Sequence, residues 1–384
     1  MAFVVSSVLF LIYFYTAVFL FIHIFVIAGV ISSFNRERKA KNHKIPDVKI
    51  SVIVPARDEE KTLPALFKSL LSQSVDNFEI ILINDRSQDN TLEIMESFRD
   101  ANPGRVKVID NRHSFSGKNP KQMALSLAER ETAAEGEVFL YTDADCQVPP
   151  QWVETMMKPF ANPGTGLVFG TVTVSPGGRS LLERFQQYDH LLRYHYTAAA
   201  AGLNMPNGGF GNNLAVRRKT LDDIGGFEKL EYTVTEDAQL IARVRDTGKW
   251  KIFAQTSADS MVSTVPVTSW KELYLQELRW STGAIHAPDI NSRIGYGFIM
   301  YQLLIGIILF PLAFFIPSFF PVFFCGILCM LSVSLAYGFH LKPGKSFWLS
   351  LPVCLLIAQF LFPVVTAAAT FKPSVIWKGN RLDM

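Results

Sequence analysis

The chain of 384 residues is 49% hydrophobic and carries a formal net charge of +3 at pH 7. So small a charge gives no ground for nucleic acid as a partner, because such binding rests on neutralising many phosphates. No pair of its four cysteines has zinc-ligand or redox spacing, and Cys325, Cys329 and Cys354 sit in apolar segments where a thiol packs as a small residue, which argues against a disulfide framework.

Residues 3 to 34 contain no Asp, Glu, Lys or Arg, a stretch longer than the roughly 20 apolar residues a bilayer crossing needs. It lacks a basic start and an Ala-x-Ala site, so residues 1–34 read as an anchor rather than a cleavable signal. Arg36, Arg38, Lys39, Lys41 and Lys44 follow directly, and positive flanks stay cytoplasmic. Residues 45–290 have ordinary soluble composition and are therefore expected in the cytosol.

Within that domain, the β-rich run from Val48 reads as a strand ended by Pro55, and residues 59–73 have helical spacing through Leu63, Leu66, Phe67, Leu70 and Leu71. Strands are expected at 78–83, 106–110 and 138–141, with helices from about Thr91 and over 121–135. Strands alternating with helices imply an α/β fold with a mostly parallel sheet. Beyond Gly170, the pattern reads as a strand over 169–174, a helix over 181–201, an irregular glycine-rich loop over 206–213, a strand over 214–222 and a helix over 238–246. The first half is expected to hold a nucleotide and the second half an acceptor. An amphipathic helix over 268–287, with Trp270, Tyr274 and Trp280 at headgroup depth, closes the domain. Residues 294–341 are free of charged residues and long enough for two helices that break near Pro317 to Pro321; 346–371 supplies a third, and 372–384 form a basic tail. Three crossings would send Lys372, Lys378 and Arg381 outside, so one C-terminal segment is expected to be re-entrant or interfacial.

The apolar run 139–146 delivers Asp143 and Asp145 with one small residue between them. Mg²⁺ and Mn²⁺ are held by one or two carboxylates plus substrate phosphates, and ligands of open α/β sheets sit outside the strand ends. Asp85 follows the second strand, where a carboxylate can accept the N3 hydrogen of a uracil-like base; a capped turn is the plainer account, with Asp89 or Ser87 capping the next helix. Lys118 and Lys121 precede a helix, where cations oppose the dipole unless an anion sits there; a solvated loop is the competing explanation. Glu236 and Asp237 follow Thr235 as either a capped acidic first turn or the seat of a general base. Arg279 fits poorly as plain surface, because guanidinium forks onto phosphate oxygens, and Trp280 beside it can pack on a sugar.

In order, these pieces resemble the family-2, GT-A-fold glycosyltransferases over most of residues 48–282. The run from Ile53 to Glu59, with Pro55, Arg57 and Glu59, resembles the first strand and nucleotide loop, Asp85 the base-binding aspartate, and Asp143-Ala144-Asp145 the metal motif. Thr235-Glu236-Asp237 resembles the segment with the catalytic base, and Gln276-Glu277-Leu278-Arg279-Trp280 the Gln-x-x-Arg-Trp motif. Asn119-Pro120-Lys121 and Trp377-Lys378-Gly379 are similar to the ceramide glucosyltransferase branch and its bacterial lipid glycosyltransferase kin. One departure is Asn84-Asp85, where many relatives carry two acids, so base recognition is expected to rest on Asp85 alone.

The resemblance implies an inverting, metal-dependent hexosyltransferase at the cytosolic face of the plasma membrane. It would move a sugar once from a nucleoside-diphosphate sugar, expected to be a UDP-sugar, to a membrane lipid hydroxyl. Asp143 and Asp145 would bind Mg²⁺ or Mn²⁺, Asp237 would deprotonate the acceptor, and Arg279 with Gln276 would steady the diphosphate. Pro55, Arg57, Glu59, Asp85, Lys118, Lys121, Asp143 and Trp280 would line the donor site. A processive polysaccharide synthase and a non-catalytic nucleotide-sugar-binding protein are the alternatives.

Overall fold

The computed structural model describes residues 2–112, 119–131, 136–174, 180–371, 374–377 and 380–383. Helix α1 (Ala2–Ala40) leads into strand β1 (Ile50–Ala56), α2 (Leu63–Leu71), β2 (Glu79–Asp85), α3 (Thr91–Ala101), β3 (Val106–Asn111), α4 (Pro120–Glu131) and β4 (Val138–Tyr141). Next come β5 (Cys146–Gln147), α5 (Trp152–Met157), β6 (Thr165–Gly170), β7 (Val172–Val174), α6 (Leu181–Gly202), β8 (Leu214–Arg217), α7 (Arg218–Ile224), α8 (Glu236–Asp246), β9 (Lys251–Gln255), β10 (Val262–Thr264) and α9 (Trp270–Ile285). Then α10 (Ile290–Ala313), α11 (Phe320–Leu341) and α12 (Lys345–Phe371) precede a hairpin of β11 (Ser374–Trp377) and β12 (Asn380–Asp383).

The main sheet has seven strands in the order β3-β2-β1-β4-β8-β6-β9. Its first four are parallel, with Ile53 opposite both Ile81 and Tyr141, but β8 runs antiparallel to β4 and β6. The sheet is thus mixed rather than uniformly parallel. Side chains alternate with period two. Val52, Val54, Ile80 and Leu82 join α2, α3 and α5 in one core, while Ile53, Ile81 and Ile83 join α4, α6, α7 and α8 in the other.

Three expectations change. β1 runs through Pro55 to Ala56, because the ladder to β4 ends at Ile53 and Pro55 stands on a free edge where a missing donor is tolerated. The run over 214–222 is a strand only to Arg217 and then the short helix α7, closed by Gly225 at φ 80°, the left-handed cap that glycine adopts without a Cβ clash. The single strand expected over 169–174 is two, with β7 in a separate sheet ordered β5-β10-β7.

Helix α9 begins at Ser269, whose hydroxyl accepts from the Glu272 amide at 3.2 Å. It does not present its apolar face outward as expected. Leu273 enters the core with Phe185 and Phe362, while Tyr274 and Leu278 pack on Val234, Val365 and Ala369. Trp270 keeps 46% of its surface exposed. The amphipathic pattern is satisfied by protein because α6 and α12 cover that face.

Among the described residues, four helices are long and apolar enough to cross a membrane: Ser6–Ala40, Ile290–Ala313, Pro317–Leu341 and Lys345–Phe371. The first is tied to the domain through α6. A Cβ on Gly29 would lie 2.3 Å from the Ala199 carbonyl oxygen, and one on Gly202 would lie 2.0 Å from that of Gly29. That crossing admits only glycine. Ser33 Oγ donates to the Ala198 carbonyl at 2.6 Å, and Arg36 donates to those of Ala201 and Gly202 at 3.0 and 2.9 Å. Arg36 therefore neutralises the negative end of α6 as well as flanking the apolar stretch. At the other end of the chain, His286 donates to the Ala369 carbonyl at 3.1 Å and β11 packs beside α9, which places the tail against the domain.

Gly29→Leu is expected to lower stability by about 1 to 3 kcal/mol, the usual scale of overpacking, while Gly344→Ala, in open space and without a left-handed backbone, changes packing little. Thermal unfolding of both variants in detergent checks this; equal melting points would refute the close crossing.

Candidate functional site

Parallel strands deliver their carboxyl ends to one edge of the sheet, and a cavity of about 1090 Å³ opens there. Asp143, Asp145, Lys121, Asp237, Gln276, Arg279 and Trp280 all line it. Residues from four separate stretches of sequence therefore share one space.

Asn119 is the bracket. Its carbonyl accepts from the Lys121 amide at 3.0 Å, starting α4, and its amide donates to the Thr233 carbonyl at 2.9 Å and to Glu236 Oε2 at 3.3 Å. Lys121 Nζ then reaches Asp143 Oδ1 at 2.7 Å and Glu236 Oε1 at 3.4 Å. Burial disfavours the ammonium, yet Asp143 and Glu236 outweigh it and raise its pKa. The anion that a lysine needs at the positive end of a helix is supplied by these carboxylates.

Asp145 Oδ2 accepts from Thr264 Oγ1 at 3.2 Å. Burial, with the charges of Asp143 and Glu59, pushes its carboxyl up to about 6. Asp237 accepts from the amides of Gly211 and Ala238, each at 2.8 Å. Burial and Glu236 push it up to about 6 as well. A Cβ on Gly211 would come 3.1 Å from Asp237 Cβ, so glycine lets the loop donate to this carboxylate. Thr235 makes no side-chain cap, which removes the plain capping account of that segment.

Arg279 faces the same acids. Burial lowers its pKa, opposed by Glu236, Asp237 and Asp143. Gln276 Oε1 is buried with no hydrogen-bond partner among the described residues. Behind them lies a feature the sequence did not reveal. Arg193 of α6 bonds Asp189 at 2.6 Å and also Glu277 of α9, and both carboxylates are fully buried. Its guanidinium stands 5.4 Å over the Trp280 ring and 4.8 Å over that of Phe362. Burial raises the Glu277 carboxyl well above the usual range, against the pull of Arg193. Asp189 and Arg193 have the spacing of an ordinary surface pair, so only burial separates them from one. His190, with its ring edge-on to Trp280 at 5.5 Å, was also missed.

Pro55, Arg57, Glu59 and Asp85 stand at the ends of β1 and β2 and are not among the residues lining the cavity. Asp85 accepts from Arg86 Nε and Nη2, both at 2.9 Å, and from Asn111 at 2.8 Å. Asp89 accepts from the Thr91 amide at 3.0 Å, in keeping with a capping role. Asp58 and Arg86 hold left-handed backbones, φ 55° and 58°, and Asp58 N donates to Ser87 Oγ at 3.1 Å, locking the two loops together. Lys118 lies outside the described residues.

Among the described residues no three or more His, Cys, Asp or Glu stand together as a metal cage. The donor set is a carboxylate pair. Asp143 and Asp145 offer only oxygen, and burial beside Asp143 and Glu59 disfavours the Asp145 carboxylate, a cost that a cation would relieve, so the pair fits a hard divalent cation completed by substrate oxygens.

The likeness to known proteins extends over nearly the whole chain. The model of "Glycosyl transferase family 21" matches residues 13–384; the resemblance had named family 2. "Probable glycosyltransferase YdaM" of Bacillus subtilis is 26% identical over 329 residues, 82% of this chain and 72% of that protein. "Beta-monoglucosyldiacylglycerol synthase" of Synechocystis is 25% identical over 245 residues, 62% of this chain and 48% of that one. Among solved structures, the mannosyltransferase PcManGT from Pyrobaculum calidifontis, in complex with GDP-Man and Mn2+, shares the fold at a TM-score of 0.53 and 16% identity, covering 93% of this chain and 97% of that one. The chain belongs to glycosyl transferase family 21 and is a glycosyltransferase.

Proposed function

We propose that this enzyme transfers one sugar from a nucleoside-diphosphate sugar, a UDP-sugar by preference, to the hydroxyl of a membrane lipid, with inversion. One observation carries the lipid acceptor: the cavity that holds Asp143, Asp145, Asp237 and Arg279 is continuous with walls from the apolar helices α1 and α10, through Ile22, Phe25 and Ile294. A water-soluble acceptor needs no such wall. The relative named as a monoglucosyldiacylglycerol synthase agrees with a glycolipid product.

In this mechanism Asp237, held by two backbone amides, takes the proton of the acceptor hydroxyl. The acceptor oxygen bonds to the anomeric carbon as the bond from that carbon to the diphosphate oxygen breaks, and the electron pair leaves with the diphosphate. A single displacement inverts the centre. Arg279 and Gln276 hold the leaving diphosphate with hydrogen bonds that strengthen as its charge grows. Asp143 and Asp145 would hold Mg²⁺ or Mn²⁺, which supplies charge neutralisation to the diphosphate. Lys121 keeps Asp143 and Glu236 in place. Pro55, Arg57, Glu59 and Asp85 remain the proposed frame of the nucleotide, and Trp280 that of the sugar.

The reading places the domain at the cytosolic face of the plasma membrane. With the tail against α9, domain and tail share one side, so α10 to α12 together make an even number of crossings. Helix α12 is the one that does not cross: it starts near His340, which donates to the Thr256 carbonyl at 3.2 Å, and ends beside His286. Strands β11 and β12 then stay inside with the domain.

Asp237→Asn is expected to keep donor binding and lose transfer by roughly 10²-fold or more, the scale of general-base contributions. A collapse of donor affinity would make Asp237 a binding residue. Because its carboxyl sits near 6, the base is lost as pH falls through that value, and kcat/KM should drop on the acid side with a midpoint near pH 6. A flat profile from pH 5 to 8 would refute the assignment. Arg279→Lys should reduce turnover by roughly 10²-fold, since an ammonium cannot make the paired bonds of a guanidinium, and excess chelator should abolish transfer; full activity in either case would sink the corresponding role.

A further inference from the structure

The cavity has two ends of different character. On one side it is edged by Ile22, Phe25 and Ile294, which are 37%, 48% and 62% exposed on the outer surface of the helices. On the other it is walled by Phe19 of α1, Leu303 of α10 and Met330 of α11, which are 1%, 2% and 3% exposed. The first end opens where lipid lies. The second is closed by packed side chains.

Its closure is built in detail. Gly326 of α11 also lines the cavity, and a Cβ there would come 2.4 Å from Leu303 Cδ2, so Leu303 lies flat against α11 only because position 326 is glycine. Phe19 is fixed by His23 at 4.5 Å and Phe298 at 6.0 Å between ring centroids. The three helices thus meet around a blind apolar recess that begins at the charged site. Apolar walls of this kind offer dispersion contacts to a hydrocarbon chain.

Resting on the reading of a lipid acceptor, we propose that this recess is a chain-binding site: one linear hydrocarbon chain of the acceptor enters through the gap between Ile22, Phe25 and Ile294 and ends against Phe19, Leu303 and Met330. The recess sets the chain length the enzyme accepts. The acceptor class is accordingly a hydroxyl-bearing lipid with at least one unbranched chain, its hydroxyl at Asp237 and any second chain left in the bilayer. Chain selection and chemistry are then separable, because Phe19, Leu303 and Met330 lie on α1, α10 and α11, which bring none of the cavity's acids.

The test uses the full-length protein in lipid nanodiscs with diacylglycerols of graded chain length, and one diacylglycerol carrying a diazirine at the end of a chain. Photolysis of the wild type should label peptides containing Phe19, Leu303 or Met330. Shortening the chain below the optimum should lower kcat/KM roughly fourfold per methylene, which corresponds to about 0.8 kcal/mol for a buried CH₂. Leu303→Trp, which fills the recess, should move the optimum to shorter chains and suppress the label, while slow hydrolysis of the donor by water is unchanged. Label confined to outward residues such as Phe315 or Leu349, or the same optimum in Leu303→Trp, overturns the recess. Label at the recess without transfer to any lipid sustains the recess and overturns the acceptor reading. Should Leu303→Trp fail to fold, the label on the wild type alone decides.

Discussion

The site is governed by the charge it must hold together. Asp143, Asp145, Glu236 and Asp237 share one cavity with Lys121 and Arg279; Arg193 and Arg245 also line it but are taken up by Asp189 and Glu277 and by Asp289, which leaves four acids against two cations at the edge of an apolar interior. Like charges so placed repel and raise one another's pKa unless something intervenes. Lys121 intervenes for Asp143 and Glu236, and two backbone amides do so for Asp237. What is left uncompensated has the sign that a divalent cation would match, and the carboxyls of Asp145 and Asp237 are raised first by burial and then by this crowding of acids.

Everything around the cavity serves to hold these charges at fixed positions. Helix α6 is the central strut. At its carboxyl end it meets α1 through Gly29 and Gly202, and in its middle Arg193 reaches across to Glu277 of α9. The apolar anchor and the motif carrying Arg279 are thereby fastened to one helix. A buried ion pair is weak evidence for stability, but breaking it strands a charge; its value here lies in fixing the angle between α6 and α9, and with it where Trp280 and Arg279 point.

On the proposed reading, a polar donor and an apolar chain meet at one point of the cavity. Strand ends supply carboxylates and backbone amides on one side, while α1, α10 and α11 supply hydrocarbon walls on the other. Neither half is complete alone. The sheet lacks a surface for lipid, and the helices among the described residues bring no acid of their own into the cavity.

Much of this was legible in the sequence because it is written in local patterns. Charge-free stretches of sufficient length marked the apolar helices, β-rich apolar runs marked β1, β2 and β4, and Asp143-Ala144-Asp145, Thr235-Glu236-Asp237 and Gln276 to Trp280 stood out as chemistry. The amphipathic face of α9 was legible too, yet what covers it was not, since a lipid surface and a protein surface ask for the same residues. Asp189 and Arg193 look like any solvated pair four residues apart; only burial, a property of the assembled chain, makes them a strut. The amino-acid sequence by itself determined which segments are apolar, which are strands and which acids are available. The tertiary structure alone decided that Lys121 lies between Asp143 and Glu236 and that Phe19, Leu303 and Met330 close one recess, because electrostatics and packing act through space between residues far apart along the chain.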